Sequence, residues 1–106
     1  MLRLRGRAGG RVSRTGTPTA IFRTQVQNAL ENLTTALAAH GLRPADTLKI
    51  TVLIVDHSSD KLAVWSEEMR RVWEGHPLPT STLIPVPRLA SEGMLVEVDA
   101  IAYQPE

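Results

Sequence analysis

The sequence predicts an α+β fold in which two amphipathic helices cover one face of a mixed four-stranded sheet. Two segments carry apolar residues at three- and four-residue steps, and three others carry them at alternate positions. These segments follow one another as strand, helix, strand, helix, strand and strand, with the first strand short. The 106 residues suffice for one domain with a modest core. We therefore divide the chain into a basic N-terminal segment, residues 1–10, and a single domain, residues 11–106.

The N-terminal segment is rich in arginine and glycine and has little apolar pattern, which indicates a mobile segment. A short strand is expected just after it, near Arg11–Arg14. Because Glu31 is the first acidic residue, positive charge is concentrated before it, although the formal net charge is only +1. Such an arm could neutralise phosphates, but nucleic-acid modules usually add aromatic stacking platforms or a recognition helix. Nucleic acid is therefore not the expected partner.

The first helix is predicted from Thr24 to His40, with Gly41 as its stop. Its apolar stripe consists of Val26, Leu30, Leu33 and Leu37. The strand TLKITVLIV follows, and Leu53, Ile54 and Val55 make its last part apolar on both faces. A sheet with one solvated face does not need this pattern. The second face is therefore expected to be covered by another element or by another subunit.

The second helix is predicted to begin after a cap at Ser58 or Ser59 and to end at Gly75. Its apolar stripe consists of Leu62, Trp65, Met69 and Val72, and the run EEMRR is placed on or beside the solvent side. The strand STLIPV comes next. Since Pro85 has no N–H to donate to a ladder hydrogen bond, this strand is expected at a sheet edge or with a bulge.

The last strand, MLVEVDAIA, carries the candidate catalytic groups. Alternation places Val96, Val98, Ala100 and Ala102 on one face, and Leu95, Glu97, Asp99 and Ile101 on the other. Glu97 and Asp99 therefore project from one face, about 7 Å apart at their origins, in apolar company. Paired acids can divide acid and base roles in catalysis. The alternative is that one of them pairs with a backbone amide or with an arginine across an interface.

Composition excludes several classes of function. The chain has no cysteine, which excludes disulfides, thiolate nucleophiles and cysteine-based metal sites. His40, His57 and His76 show no metal-ligand spacing, so no metal site is expected. No apolar run approaches the ~20 residues of a membrane span, and the basic N-terminus lacks the apolar stretch of a signal peptide. We expect a cytoplasmic protein without a membrane partner.

Two stretches carry a family resemblance. TQVQNALENLTTALAAHGLRPADTLKITVLIVD resembles a helix and strand of the Rid (reactive-intermediate deaminase, or YjgF) family. Members of that family typically have Gln-x-x-x-x-Leu-x-Asn-Leu, then Ala-x-Gly-Leu, then Asp-x-x-Lys-x-Thr-Val. LVEVDAIA is similar to that family's closing strand, and the match runs from about Thr24 to Tyr103.

The resemblance implies a chorismate-mutase-like fold and a homotrimer, in which sheet faces meet around a barrel-like centre. Small-molecule clefts would lie between the subunits. The implied activity is hydrolysis of enamine or imine intermediates to a 2-oxo acid and ammonia, and no cofactor is implied.

The resemblance also implies site residues, with one large departure. In the family pattern Pro-Ala-Arg-Ser the arginine clamps the substrate carboxylate. Aligning Pro79 with that proline places Thr80 at the alanine, Ser81 at the arginine and Thr82 at the serine. The clamp is thus missing, because a serine hydroxyl offers one neutral donor in place of a bidentate guanidinium. Asp99 takes the place of the family glutamate thought to position or activate water.

Three further positions depart from the family or could compensate for the missing clamp. Ser13 matches a serine of the family's Val-Ser-Gly strand, and Arg14 replaces the glycine that follows it. Arg14 or Arg88 could deliver a guanidinium to the substrate from another direction. Trp65 stands where many relatives have asparagine, and we interpret it as core or interface packing.

Three functions remain as hypotheses. The first is a Rid-type hydrolase whose substrate is not a simple 2-imino acid, with Asp99 or Glu97 activating water and Ser81 or Thr82 holding the substrate. The second is a non-catalytic trimer of the same fold that binds a metabolite or regulates a partner. The third is an RNA-directed protein, as the old family label "endoribonuclease L-PSP" suggests. It has the least support, because neither a nucleophile–histidine pair nor aromatic platforms are evident.

Overall fold

The structure, a computed structural model, describes the backbone of residues 2–7 and the whole of residues 17–103. Within these ranges the chain forms the predicted order of two α-helices and four strands. A short 3-10 helix at Pro44–Asp46 precedes the second strand. The elements are β1 (Leu2–Arg7), α1 (Pro18–Ala39), β2 (Thr47–Val55), α2 (Ser59–Val72), β3 (Thr80–Val86) and β4 (Val96–Ala102).

The strands form one mixed sheet in the order β1-β4-β2-β3. β4 pairs antiparallel with both β1 and β2, whereas β2 pairs parallel with β3. Since parallel neighbours need a crossover connection, α2 joins β2 to β3 across a face of the sheet. β3 lies at the edge, as the proline at position 85 predicts. The predicted two-layer α+β architecture is confirmed.

The first strand is found earlier in the chain than the sequence analysis places it. The expected position, Arg11–Arg14, lies outside the described residues, whereas Leu2–Arg7 pairs with β4 from Glu97 to Ala102. The register runs from Leu2 opposite Ala102 to Arg7 opposite Glu97. Leucine and arginine alternate in this segment with the period of a strand, and the high arginine and glycine content obscured that signal. The mobility assigned to residues 1–10 stays a prediction.

Helix α1 begins six residues before its predicted start and buries the predicted stripe. Thr17 is the N-cap, and its Oγ1 accepts a hydrogen bond from the backbone N–H of Ala20 at 3.1 Å. Pro18 occupies the first turn, where a missing N–H costs nothing. After the helix, Gly41 takes a φ of +72°, a conformation that glycine adopts without steric cost. The buried apolar residues of α1 are Phe22, Val26, Ala29, Leu30, Leu33 and Leu37.

Helix α2 is capped by Ser58, whose Oγ accepts from the backbone N–H of Lys61 at 3.2 Å. Trp65 is 3% exposed and belongs to the core, which confirms its interpretation as packing. Leu62, however, is 47% exposed, and Val64 is buried in its place. The stripe is rotated because α2 packs against α1, where Val64, Trp65 and Met69 join the core.

Glu68 of the EEMRR run is buried, contrary to the expected solvent side, and it links the two helices. One carboxylate oxygen accepts from Arg23 Nη1 at 2.8 Å and the other accepts from Gln27 Nε2 at 3.1 Å. Arg71 adds an ion pair at 3.3 Å. Arg23 also bonds Glu67 at 2.8 Å, and hydrogen bonds to Glu67 and Glu68 raise the pKa of its guanidinium further. These partners satisfy a buried charge that would otherwise be costly.

The two helices cover one face of the sheet, where β2 and β4 contribute core residues such as Ile50, Val52 and Val98. The other face carries half-buried residues, and no element among the described residues covers it. We call it the open face, and on β2, on β4 and at the residue before β4 it comprises Lys49, Thr51, Leu53, Val55, Leu95, Glu97, Asp99 and Ile101. The prediction that Leu95, Glu97, Asp99 and Ile101 share one face is confirmed.

Candidate functional site

A row of polar residues crosses the open face. Thr51 on β2 lies opposite Thr82 on β3 and opposite Asp99 on β4, so the three stand side by side. With strands about 4.8 Å apart, Thr82 and Asp99 lie about 10 Å apart across the sheet, with Thr51 between them. Thr82 is exposed, and the other two are half-buried. On the far side of β4 the register places Arg5 opposite Asp99.

The second acid lies in the adjoining row. Glu97 is opposite Leu53, which is opposite Ile84 on β3, so the predicted apolar company is found on this side of Glu97, whereas Asp99 lies between Thr51 and Arg5. Ile84 is 43% exposed, a high value for a large apolar side chain. Both Glu97 and Asp99 have interaction partners of their own. The open face therefore combines two engaged carboxylates, the hydroxyls of Thr51, Thr80 and Thr82, the ammonium of Lys49 and exposed apolar surface.

The residues matched to the family clamp divide between the two sides of the sheet. Ser81 lies opposite the buried Ile50, so it belongs to the helix-covered side, although it is exposed at the edge. Thr80 belongs to the open face, and its Oγ1 donates a hydrogen bond to the carbonyl of Leu48 at 3.1 Å. The structure thus brings Thr82 onto the face of Asp99, while Ser81 of the same chain lies on the opposite face.

The remaining candidates are Ser13, Arg14 and Arg88. Ser13 and Arg14 lie outside the described residues. Arg88 follows the end of β3, two residues beyond Val86, which is opposite Val55. Four residues of β2 separate Val55 from Thr51, a distance of about 13 Å along the strand. Arg88 is therefore far from Asp99 of its own chain and cannot hold the same small substrate there.

Gln25 is a residue that sequence reasoning missed. Its side chain is almost fully buried in α1, yet it bonds the loop that leads into β4. Nε2 donates to the carbonyl of Gly93 at 3.0 Å, and Oε1 accepts from the N–H of Leu95 at 2.8 Å. The sequence held a signal, because Gln25 is the glutamine of the family pattern Gln-x-x-x-x-Leu. It fixes the start of the strand that bears Glu97 and Asp99.

The described part of the chain contains neither a candidate metal site nor a helix that could span a membrane. Residues 17–103 contain no group of three or more histidine, aspartate or glutamate side chains placed to hold a metal ion. Neither described helix is long and apolar enough to cross a membrane.

The helix-covered sheet with an open, acid-bearing face is the α+β architecture of YjgF-type proteins. The sequence matches the family described as endoribonuclease L-PSP over residues 6–104, and the chain therefore belongs to that family. No curated protein matches the sequence significantly.

Solved structures agree with this assignment. A Rid-family protein of unknown function from Yersinia pestis, YyfB, is 26% identical, with a TM-score of 0.79 over 94% of this chain and 77% of that one. E. coli TdcF, solved with bound serine, is 29% identical, with a TM-score of 0.70 over 78% and 65% of the two chains. A YjgF-family member from Mycobacterium tuberculosis, at 22% identity and a TM-score of 0.73 over 93% and 75%, shares the fold. Membership of this family supports a small-molecule-related function.

Proposed function

We propose that the chain is a Rid-type hydrolase that acts on small imines or enamines in a cleft on the open face. The observation that carries the proposal is the row of Thr82, Thr51 and Asp99, which sets one carboxylate beside two neutral hydroxyls. Asp99 accepts a proton from water as the water oxygen attacks the carbon of the C=N bond. Asp99 passes this proton to the nitrogen, which gives a carbinolamine; the carbinolamine hydroxyl proton then moves through Asp99 to the same nitrogen, the C–N bond breaks, and a carbonyl compound and ammonia leave. Water is the only co-reactant, so the reaction needs no cofactor.

The substrate class follows from the missing clamp. Thr82 and Thr51 offer hydroxyl groups, and Ser81 replaces the arginine that a family member would use for a carboxylate. A substrate whose carboxylate is buried without a charged partner binds more weakly by several kcal/mol. Each hydrogen bond left unmade costs about 1–3 kcal/mol, and the cost is larger when the unsatisfied group is charged. We therefore propose that the substrate is an imine without a carboxylate beside the reacting carbon, and that the reaction takes place in the cytoplasm.

The first test is imine hydrolysis. An amine oxidase acting on benzylamine releases benzaldimine, an imine without a carboxylate, and its conversion to benzaldehyde can be followed by ultraviolet absorbance. We expect the wild-type protein to accelerate this step, and Asp99→Asn to remove the acceleration, because the amide cannot accept the proton from water. Thr35→Ala, on the exposed surface of α1, is the matched control and should keep the wild-type rate.

The second candidate function is a non-catalytic trimer that binds a metabolite or regulates a partner. The missing clamp and the engaged state of both carboxylates favour it. If benzaldimine and 2-iminopropanoate both decay at the spontaneous rate with wild-type protein, hydrolysis is rejected and this candidate remains.

For both candidate functions, we propose that a second subunit completes the cleft. The open face exposes Leu53, Val55, Leu95 and Ile101 in part, and a group of partly exposed apolar side chains of this kind marks an interaction surface. We propose a homotrimer that buries this face and forms clefts between its subunits, as the family resemblance implies.

The trimer is tested by sedimentation. We expect the wild-type protein to sediment at three times the chain mass of 11.6 kDa at micromolar concentration. Leu53→Glu, which places a second carboxylate opposite Glu97 on the open face, should give the mass of one chain, because burying two like charges costs more than the contact gains. Leu62→Glu, at an exposed position of α2, is the matched control and should remain a trimer. A wild-type monomer would contradict the proposal.

A further inference from the structure

A cavity of about 420 Å³ lies between α1 and α2. Every residue that lines it belongs to one of these two helices, which cover the face of the sheet opposite the open face. The sheet therefore separates the cavity from the candidate hydrolytic site, and a trimer that buries the open face leaves the cavity accessible. Its volume is within the range of about 300–1,000 Å³ that is typical of small-molecule pockets.

The walls of the cavity are held in place by contacts between the two helices. Its apolar residues are Leu30, which is buried in the core, and Val72, which packs against the core. Glu68 also belongs to the lining, and hydrogen bonds of 2.8 Å from Arg23 and 3.1 Å from Gln27 fix its carboxylate. A pocket whose walls are already ordered loses little conformational entropy when a ligand binds.

The charges at the cavity leave one carboxylate without a partner. Arg23 pairs with Glu67 and with Glu68, and Arg71 adds a second pair to Glu68 at 3.3 Å. Two guanidinium groups thus stand against two carboxylates in this network. Glu31 lines the cavity as well, and within residues 17–103 its carboxylate makes no hydrogen bond or ion pair. The charged group left to recognise a ligand is therefore negative.

Gln27 supplies a second acceptor beside this carboxylate. Its Nε2 donates to Glu68, which leaves the amide oxygen, Oε1, as an acceptor. Gln27 and Glu31 both line the cavity and stand four residues apart on α1, so their side chains are neighbours on one face of the helix. A primary ammonium group has three donors and no acceptor, which matches this pair of acceptors. An anion would be repelled by Glu31 and would have to draw Arg71 away from Glu68.

We propose that this cavity is a binding site for small organic cations, namely primary alkylammonium ions with a short apolar body. The ammonium group donates to the Glu31 carboxylate and to Gln27 Oε1, and the alkyl chain packs against Leu30 and Val72. The site does not depend on the hydrolytic function, since all the residues that line it belong to α1 and α2.

The experiment titrates the ¹⁵N-labelled full chain with butylammonium chloride at constant ionic strength and follows the backbone amide resonances. Millimolar butylammonium is expected to shift the amides of residues 27–34 and 68–72. Butan-1-ol, which has the same apolar body without the charge, should shift them less, and butanoate, with the opposite charge, should leave them unchanged. Glu31→Gln keeps the size of the side chain and removes its charge, and it should weaken butylammonium binding about two- to fivefold, the effect of one exposed ion pair.

Two further variants test whether butylammonium binds in this cavity rather than elsewhere on the protein. Arg71→Met keeps the length of the side chain and removes the positive charge of the lining, so it should strengthen butylammonium binding. Asp60→Asn removes an exposed carboxylate at the other end of α2 and should leave binding unchanged. The proposal is overturned if no amide of residues 27–34 or 68–72 shifts, if butanoate shifts them as strongly as butylammonium, or if Glu31→Gln binds as tightly as wild type.

Discussion

Deleting residues 1–10 is expected to unfold the protein. β1 pairs with β4 at six positions, and α1 packs against it, so the deletion turns the central strand β4 into an unprotected edge. At about 0.5–1.5 kcal/mol for each net hydrogen bond, a ladder of this length contributes about 3–9 kcal/mol. That is most of the roughly 5–15 kcal/mol by which a domain is stable. Circular dichroism during heating should show no cooperative transition, or one shifted down by tens of degrees.

The matched control removes Pro105 and Glu106, which follow the last residue of β4 and lie beyond the segment that matches the family. This shorter deletion should keep the wild-type unfolding midpoint. If the deletion of residues 1–10 also keeps that midpoint, the pairing of β1 contributes little, and the segment is the dispensable arm that composition suggested.

Elements in which apolar residues recur regularly over several turns were predicted correctly from the sequence. In α1 the apolar residues from Val26 to Leu37 recur over three turns, and one sheet covers this side of the helix. The residues that the period predicts to be buried are therefore the ones that are buried. β1 was missed because six residues of alternating leucine and arginine resemble a charged tail as much as a strand. Only pairing with β4 decides between them, and pairing is a tertiary property.

In helix α2, too, the local sequence pattern alone did not predict which residues are buried. Periodicity alone placed Leu62 inside and Glu68 outside, and the structure reverses both. Glu68 is buried because Arg23 and Gln27 of α1 reach it, and these partners lie more than 40 residues away in the sequence. The apolar residues of one helix do not indicate a polar contact with another helix. The burial of Glu68 therefore could not be predicted from the local sequence pattern.

The acids of the open face were predicted correctly because alternation in β4 is strict. Thr51 was missed, since its role comes from lying opposite both Thr82 and Asp99. The register also places Ser81 and Asp99 of one chain on opposite faces of the sheet, so a single cleft can contain both only if neighbouring chains supply them. A bulge between Thr47 and Lys49 shifts the start of β2, which leaves Leu48 49% exposed, although it stands two residues before the buried Ile50. Registers and bulges depend on neighbouring strands and are not encoded in one strand alone.

The position of Ser81 leads to the last prediction, which concerns 2-iminopropanoate. We expect the wild-type protein to leave its spontaneous decay nearly unchanged, because no guanidinium stands at the family clamp position. Ser81→Arg should accelerate the decay by about 10²-fold, since a bidentate clamp places the reacting carbon in the attack geometry. The imine is released by an amino-acid oxidase, and its decay is followed by trapping with semicarbazide.

The same variant can show which subunit supplies the clamp. Because Ser81 and Asp99 of one chain lie on opposite faces of the sheet, an arginine at position 81 can serve only the Asp99 of a neighbouring subunit. The double variant Ser81→Arg/Asp99→Ala should therefore be inactive alone and regain activity when co-assembled with the inactive wild type. In such hybrid trimers the variant supplies the arginine and its neighbour supplies Asp99. Hybrids that stay inactive while Ser81→Arg is active would contradict this arrangement, and a wild-type activity that Asp99→Ala abolishes would contradict the missing clamp.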